Sequence, residues 1–256
     1  MKYIATLSFG KDSIAQIIKI KELGLPLDEV IYCDIRYSKE ISGEHPLLAD
    51  WIPTAEKILK DKFGVTVTHL SSEKSFKEHY YTKRLRGKHV GEIYGVPFHI
   101  GEWCNSRLKV SVMNKYIGSI KEEVTQYIGL AHDEQERIKR MRKKETPKKH
   151  YRFILDELEI NEDEAFKICE AYDLVSPHYS NASSYRGGCW FCIKQPISSW
   201  YDIWSNYPEL FAELEKIEKD NPSFYQSRFC SNKTCEERRL QFENGFIPKR
   251  RKKQQR

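Results

Sequence analysis

Apolar positions along this chain follow two periods: short runs of the length of a buried strand, and longer stretches with helical spacing. Tyr3-Ile4-Ala5-Thr6-Leu7 is a β-rich run, and Ile14, Ile17, Ile18 and Leu23 recur after it near the spacing of one helix face. Gly24 and Pro26 stop that helix. Val30-Ile31-Tyr32-Cys33-Asp34 predicts a second strand ending on a carboxylate, Trp51 to Phe63 a helix closed by Gly64, and Val65 to Leu70 a third strand. Val124 to Leu130 predicts a further strand running into Ala131-His132-Asp133-Glu134. Beyond about Lys148 the pattern turns to helices, Glu162 to Tyr172 and Tyr207 to Lys219, joined by irregular loops. Strands separated by helices argue for βαβ units and a mainly parallel sheet, which takes ligands beyond the carboxyl ends of its strands. The expected fold is therefore α/β and Rossmann-type, with an α/β domain over 1–147, a smaller helical and loop region over 148–248 and a tail over 249–256.

The turn between the first strand and the first helix carries Ser8-Phe9-Gly10-Lys11-Asp12-Ser13. A strand–turn–helix with small residues in the turn aims backbone N–H groups and the positive end of a helix dipole at one spot, where an anion is stabilised. Ser8 and Ser13 add hydroxyl donors and Lys11 a full charge. The spacing is not that of the Walker A loop, which needs a second glycine five residues before the Gly-Lys pair. Asp12 is placed to cap the helix or position Mg²⁺. Asp34, at its strand end, is a candidate for a ribose hydroxyl or a metal.

Composition narrows the class. At 256 residues and 39% apolar content the chain can build an ordinary core. No apolar stretch approaches the roughly 20 residues needed to span a bilayer, which leads to the expectation of a soluble cytoplasmic protein without a membrane partner. Seven cysteines fit reduced thiols, metal ligands or redox chemistry better than a disulfide framework. The net charge of +6 is unevenly spread: nine Lys or Arg stand against Glu145 alone between Arg137 and Arg152, and six of the eight residues from Lys249 to Arg256 are basic. The first block suits a polyanion or a solvated helix face broken at Pro147; the tail is expected to be disordered and to add sequence-independent attraction to nucleic acid.

Arg186-Gly187-Gly188-Cys189-Trp190-Phe191-Cys192 places two thiols three positions apart on a glycine-rich turn, a knuckle for zinc, an iron–sulfur cluster or a disulfide cycle. Two ligands do not complete a metal site, and Cys104, then Cys230 or Cys235, are candidates for the rest. Cys33 and Cys169 sit within regular elements and read as small core residues. Arg107 and Lys109 flank Cys104 and are expected to favour its thiolate, as ligand or nucleophile. Glu134 and Arg137, one turn apart, either contact a nucleotide or pair with each other.

Four segments together resemble a known family. Ser8 and Gly10 to Ser13 are similar to the PP-loop of ATP pyrophosphatases, with Phe9 standing where that pattern has glycine. Tyr94-Gly95-Val96-Pro97 with Trp103-Cys104 and Leu108-Lys109, then Gly129 to Arg137, then Tyr185 to Cys192, follow in the order found in the phosphoadenosine-phosphosulfate reductase family in its broad sense. The resemblance implies a PP-loop domain that holds ATP or a related adenylyl nucleotide through Ser8, Gly10, Lys11, Asp12, Ser13, Asp34, Glu134 and Arg137. It implies Mg²⁺, and a zinc or iron–sulfur cluster on Cys104, Cys189, Cys192 and Cys230. Lys11, Asp12 and Cys104 become the candidate catalytic residues. The family's C-terminal Glu-Cys-Gly-x-His is not found between Gln226 and Arg256, and Glu102 stands where relatives often carry arginine. The resemblance therefore leans toward an ATP-dependent transferase that adenylates a substrate with pyrophosphate release and moves sulfur, with transfer RNA or DNA as candidate acceptor and a homodimer as candidate assembly. A reductase of adenylylated sulfate is the second reading. A non-catalytic nucleotide- or nucleic-acid-binding protein with structural zinc is the third.

Overall fold

The computed structural model describes residues 1–97, 102–181, 188–221, 228–230 and 232–249. The chain divides into two compact units made of interleaved segments: Met1–Asp34, Leu47–Ser71 and Ser111–Pro177 form one, and Ile35–Pro46, Ser72–Val110 and His178–Arg256 the other.

The first unit is built on a parallel sheet of β1 (Lys2–Leu7), β2 (Glu29–Asp34), β3 (Val67–Ser71), β4 (Val124–Ile128) and β5 (Lys149–Arg152) in the order β3-β2-β1-β4-β5. Ala5 of β1 lies opposite Val30 on one side and Tyr127 on the other. Helix α1 (Lys11–Glu22) buries Ile14, Ile17, Ile18 and Ile20 completely, each stabilising the fold by about 1.5–3 kcal/mol. They share a core with Leu48, Trp51, Ala55 and Leu59 of α2 (Pro46–Phe63) and with Ile154, Leu155, Ala165 and Cys169. A separate cluster of Ile4, Ile31, Ile117 and Val124, with Met113 and Leu70 against it, includes residues of the helix Ser111–Gly118. Crossover helices with apolar faces toward the strands are what a parallel sheet requires.

The expected α/β parallel fold and its first four strands are present. Three details differ. Leu23 lies beyond α1, half exposed, because the helix ends at Glu22. Helix α2 starts at Pro46, five residues before Trp51, with Pro46 in the first turn where its missing N–H costs nothing. The basic block divides between a helix, Gln135–Arg142, and the edge strand β5, whose Lys-His-Tyr-Arg sequence has no apolar run and buries only Tyr151. A charged edge is a common guard against further strand pairing.

The change of element pattern near Lys148 predicts a boundary at 147/148. Through β5 and the helices Ile154–Glu157 and Glu162–Glu170, the segment up to Pro177 packs with the first unit instead. The second unit is mainly helical as expected, with helices Phe76–Tyr80, Ile197–Asn206, Pro208–Lys219 and Cys235–Glu243 around an aromatic core of Tyr37, Phe76, Tyr80, Trp103, Trp190, Phe191, Trp200, Phe211 and Phe229. Residues 250–256 of the basic tail, and Arg186 and Gly187 before the cysteine turn, lie outside the described residues.

Candidate functional site

In the first unit, β1 ends at Leu7 and α1 begins at Lys11, so residues 8–10 make the whole connection. Strand β1 lies between β2 and β4, the place where the chain order of a doubly wound sheet reverses and ligands bind. The Ser13 hydroxyl organises the loop: it donates to the Gly10 carbonyl at 2.9 Å, accepts from the Ser8 N–H at 3.1 Å and lies 3.1 Å from Ser8 Oγ. The Cys169 thiol donates to the Lys11 carbonyl at 3.2 Å, so this core cysteine also ties down the first turn of α1. No side chain caps that helix; Gly10 is its N-cap.

Phe9 has φ of 54°, in the left-handed region that costs most L-residues roughly 1–2 kcal/mol. Its ring is 1% exposed and meets Tyr32 edge-on at 4.9 Å, which compensates the strain and seats the side chain in the hydrophobic core. The glycine of the PP-loop pattern is thus replaced by a residue that keeps a glycine-like backbone. An unusual ranking follows. Phe9→Ala loses the ring and keeps the strain, whereas Phe9→Gly loses the ring and relieves it, so Phe9→Gly should be the more stable of the two by about 1 kcal/mol, with both below wild type by several kcal/mol. Chemical denaturation of the three proteins checks this; the reverse order would mean the left-handed geometry is not kept.

Gly129, just after β4, approaches the start of α1 so closely that a Cβ there would sit 2.6 Å from Ser13 Cα and 2.8 Å from Ser13 N. Lys11 Nζ is held 2.9 Å from Asp12 and 3.1 Å from Glu162. Burial pulls the Lys11 ammonium down, but those two carboxylates more than offset it and leave it raised. Burial also raises Asp12; Lys11 opposes, while Glu162 and Glu134 add to the rise. The loop thus holds more carboxylate than ammonium, an arrangement that a divalent cation suits. Glu134 is half-buried and pairs with Arg137, so the ion pair anticipated between them is formed. Asp34 is half-buried at the carboxyl end of β2. His132 is bonded to Asp156 at 2.9 Å, which gives it a structural partner.

In the second unit the turn carrying Cys189 and Cys192 is closed by the Cys192 N–H to the Cys189 carbonyl at 3.0 Å. Backbone bonds from Trp190 N to the Gly43 carbonyl and from His45 N to the Gly188 carbonyl fasten it to residues 42–45, and Trp190 Nε1 donates to the Ser42 carbonyl. Gly43 is required there, since a Cβ would lie 2.2 Å from the Ile35 carbonyl oxygen. Cys104 sits in the short helix Trp103–Asn105, anchored by Trp103 Nε1 donating to the Gly95 carbonyl at 3.2 Å. Burial pushes the Cys104 thiol up to about 12, with Cys192 and Glu102 adding to the shift. Burial likewise holds Cys189 well above the ordinary thiol range, with Glu44, Cys192 and Cys104 adding and Lys109 opposing.

One expectation is corrected. Cys104 is not drawn toward a thiolate: burial pushes its thiol up, the Arg107 guanidinium lies 4.3 Å over the Tyr94 ring and donates to its hydroxyl, and Lys109 acts on Cys189. Cys230 is buried beside Cys235, with sulfurs 3.7 Å apart. Cys33 and Cys169 are buried, as core residues should be. Glu162 and Gly129 are site residues the sequence reading did not assign. A glycine at a strand end signals close backbone approach, whereas Glu162 stands in an acidic run far along the chain and carries no local signal.

Cys104, Cys189 and Cys192 are a soft donor set of the kind that holds zinc or an iron–sulfur cluster. Among the described residues no group of three or more His, Cys, Asp and Glu is already gathered in ligating geometry. No described helix is long and apolar enough to cross a membrane. The sequence matches no family model and no curated protein. Among solved structures the chain is similar to the U34-tRNA thiolase NcsA from Methanococcus maripaludis with its 4Fe-4S cluster, at 16% identity and a TM-score of 0.46, over 95% of this chain and 71% of that one.

Proposed function

We propose that this chain is an adenine-nucleotide enzyme of the phosphoadenosine-phosphosulfate reductase-like PP-loop family, which adenylates an acceptor with release of pyrophosphate and then transfers sulfur to it, the acceptor being nucleic acid. The carrying observation is the Ser8–Ser13 loop at the carboxyl end of the central strand of a parallel sheet, with Lys11 at the first position of α1.

In this reading an acceptor oxygen attacks the α-phosphorus of ATP and the bond between the α-phosphorus and the bridging oxygen breaks. Negative charge grows on the departing pyrophosphate. The first N–H groups of α1, the Ser8 and Ser13 hydroxyls and the Lys11 ammonium meet it, a preorganised set that needs little rearrangement. Lys11 exchanges its carboxylate partners for phosphate, and Asp12, crowded by Glu162 and Glu134, is the residue to hold Mg²⁺, which supplies charge neutralisation when bound. Asp34 and the Glu134–Arg137 pair serve the nucleoside side. A sulfur nucleophile then forms a carbon–sulfur bond as the carbon–oxygen bond breaks and AMP leaves.

Cys104, Cys189 and Cys192 would hold the metal or cluster, which when bound keeps the three thiols deprotonated. Nucleic acid as acceptor is supported by the exposed basic side chains of Lys139, Arg140, Arg142, Lys143, Lys144 and Lys148. The test is anaerobically purified protein with ATP, Mg²⁺ and bulk transfer RNA, with DNA in parallel, read as pyrophosphate release and acceptor-bound sulfur. Release that depends on neither nucleic acid would remove the acceptor assignment, and no release under any condition would remove the reading.

A further inference from the structure

Cys230 and Cys235 are fully buried, with sulfurs in contact at 3.7 Å. Their backbones are fixed by one carboxylate: buried Glu218 accepts the Phe229 N–H at 2.5 Å and the Cys235 N–H at 2.6 Å. The loop between them is closed by the Lys233 N–H to the Cys230 carbonyl and by the Thr234 capping box that starts helix Cys235–Glu243. Buried Arg238 reaches back from that helix to the Cys230 carbonyl at 3.3 Å. A pocket lined by Glu215, Glu218, Lys219, Thr234 and Glu236 opens onto this carboxylate, large enough for a molecule the size of a peroxide.

We propose that Cys230 and Cys235 are a reversible disulfide-forming pair, oxidised by a small peroxide and restored by a dithiol. The two sulfurs, already in contact at 3.7 Å, have only to close to about 2.05 Å to form a disulfide bond. The Cys235 thiol gives its proton to Glu218. The thiolate attacks one peroxide oxygen, the O–O bond breaks, and the leaving hydroxide takes up a proton as water, which leaves Cys235 as a sulfenic acid. The Cys230 sulfur then attacks the Cys235 sulfur; the S–S bond forms, the S–O bond breaks, and hydroxide leaves with the Cys230 proton as a second water. Two sulfurs lose two electrons and the peroxide gains them. Burial holds the Cys235 thiol well above its ordinary range, so the first step is slow and depends on the carboxylate. Burial also sets Glu218 at about 7, suited to accepting a proton near neutrality.

The sequence supplies its own assay. Trypsin cuts after Arg228, Lys233 and Arg238, so the two cysteines fall on separate peptides, Phe229 to Lys233 and Thr234 to Arg238, unless a disulfide joins them. The full-length protein is treated with hydrogen peroxide, blocked with an alkylating reagent, digested and weighed. The expected product is the joined pair, lighter by two hydrogens than the two free-thiol peptides together and separated again by dithiothreitol. Glu218→Gln should slow its formation by about 100-fold, and Glu218→Asp should restore part of the rate. Recovery of both peptides singly alkylated, while Cys104, Cys189 and Cys192 are oxidised, would overturn the proposal. So would tightly held zinc in wild type that is lost in Cys235→Ser, which would make the pair metal ligands.

Discussion

Replacing Lys11 with Ala is expected to lower pyrophosphate release from ATP by about 100- to 1,000-fold, the usual cost of removing one preorganised donor from a site of developing negative charge. The side chain occupies the first turn of α1, 12% exposed, between Asp12 and Glu162. It therefore has a structural role as well, because without it two crowded carboxylates lose their cation. A stability loss on the order of 2 kcal/mol accompanies the substitution. The two roles are separable. Adding Glu162→Gln to Lys11→Ala removes one of the repelling carboxylates and should recover much of the thermal stability, yet leave pyrophosphate release at the low level. Recovery of release together with stability would reduce Lys11 to a partner for Glu162. Lys11→Arg should rescue only partially, since a planar guanidinium does not reproduce a compact ammonium at a phosphate.

Gly129→Ala is the second large effect, and it acts through the backbone. The added Cβ meets Ser13 Cα at 2.6 Å, Ser13 N at 2.8 Å and the Asp12 carbonyl carbon at 3.0 Å. None of these atoms ends a flexible side chain, so α1 must shift from the end of β4, and with it the Ser13 hydroxyl that closes the loop to Ser8 and Gly10. Overpacking of this kind costs about 1–3 kcal/mol. Loss of nucleotide affinity should exceed what that destabilisation alone explains, because a displacement of under an ångström misplaces every N–H donor of the first turn. Calorimetric nucleotide titration at a temperature where the variant is fully folded reads the two effects apart. Gly118→Ala, at the end of helix Ser111–Gly118 with nothing within 4 Å of its Cβ position, is the control and should change neither. Equal affinity in Gly129→Ala and wild type would show that the loop does not touch the ligand.

What could be read from the sequence divides along a physical line. Features fixed by neighbours in the chain were legible: the strand–turn–helix around Ser8 to Ser13, the helix starting at Glu162, and the burial of Cys33 and Cys169 in regular elements. Features fixed by distant parts of the chain were not. Strand β5 has the polarity of a loop and is a strand because β4 supplies its ladder. The helices Ile154–Glu157 and Glu162–Glu170 read as the start of a new domain, whereas their apolar faces complete the core against α1. The charges beside Cys104 suggest a thiolate, yet burial, invisible in a local window, pushes its thiol up. Phe9 lies between these cases. The chain pattern marked it as the departure from a glycine loop, and the structure supplies the compensation, a left-handed backbone secured by a ring in the core.

The central claim concerns which bond of the nucleotide breaks. ATP labelled at the α-phosphate, incubated with the full chain, Mg²⁺ and bulk transfer RNA or DNA, tests it directly by separation of the labelled products. The loop at Ser8 to Ser13 predicts label in AMP and in adenylylated acceptor, with pyrophosphate formed in equal amount. Label in ADP, with inorganic phosphate as the other product, would contradict it.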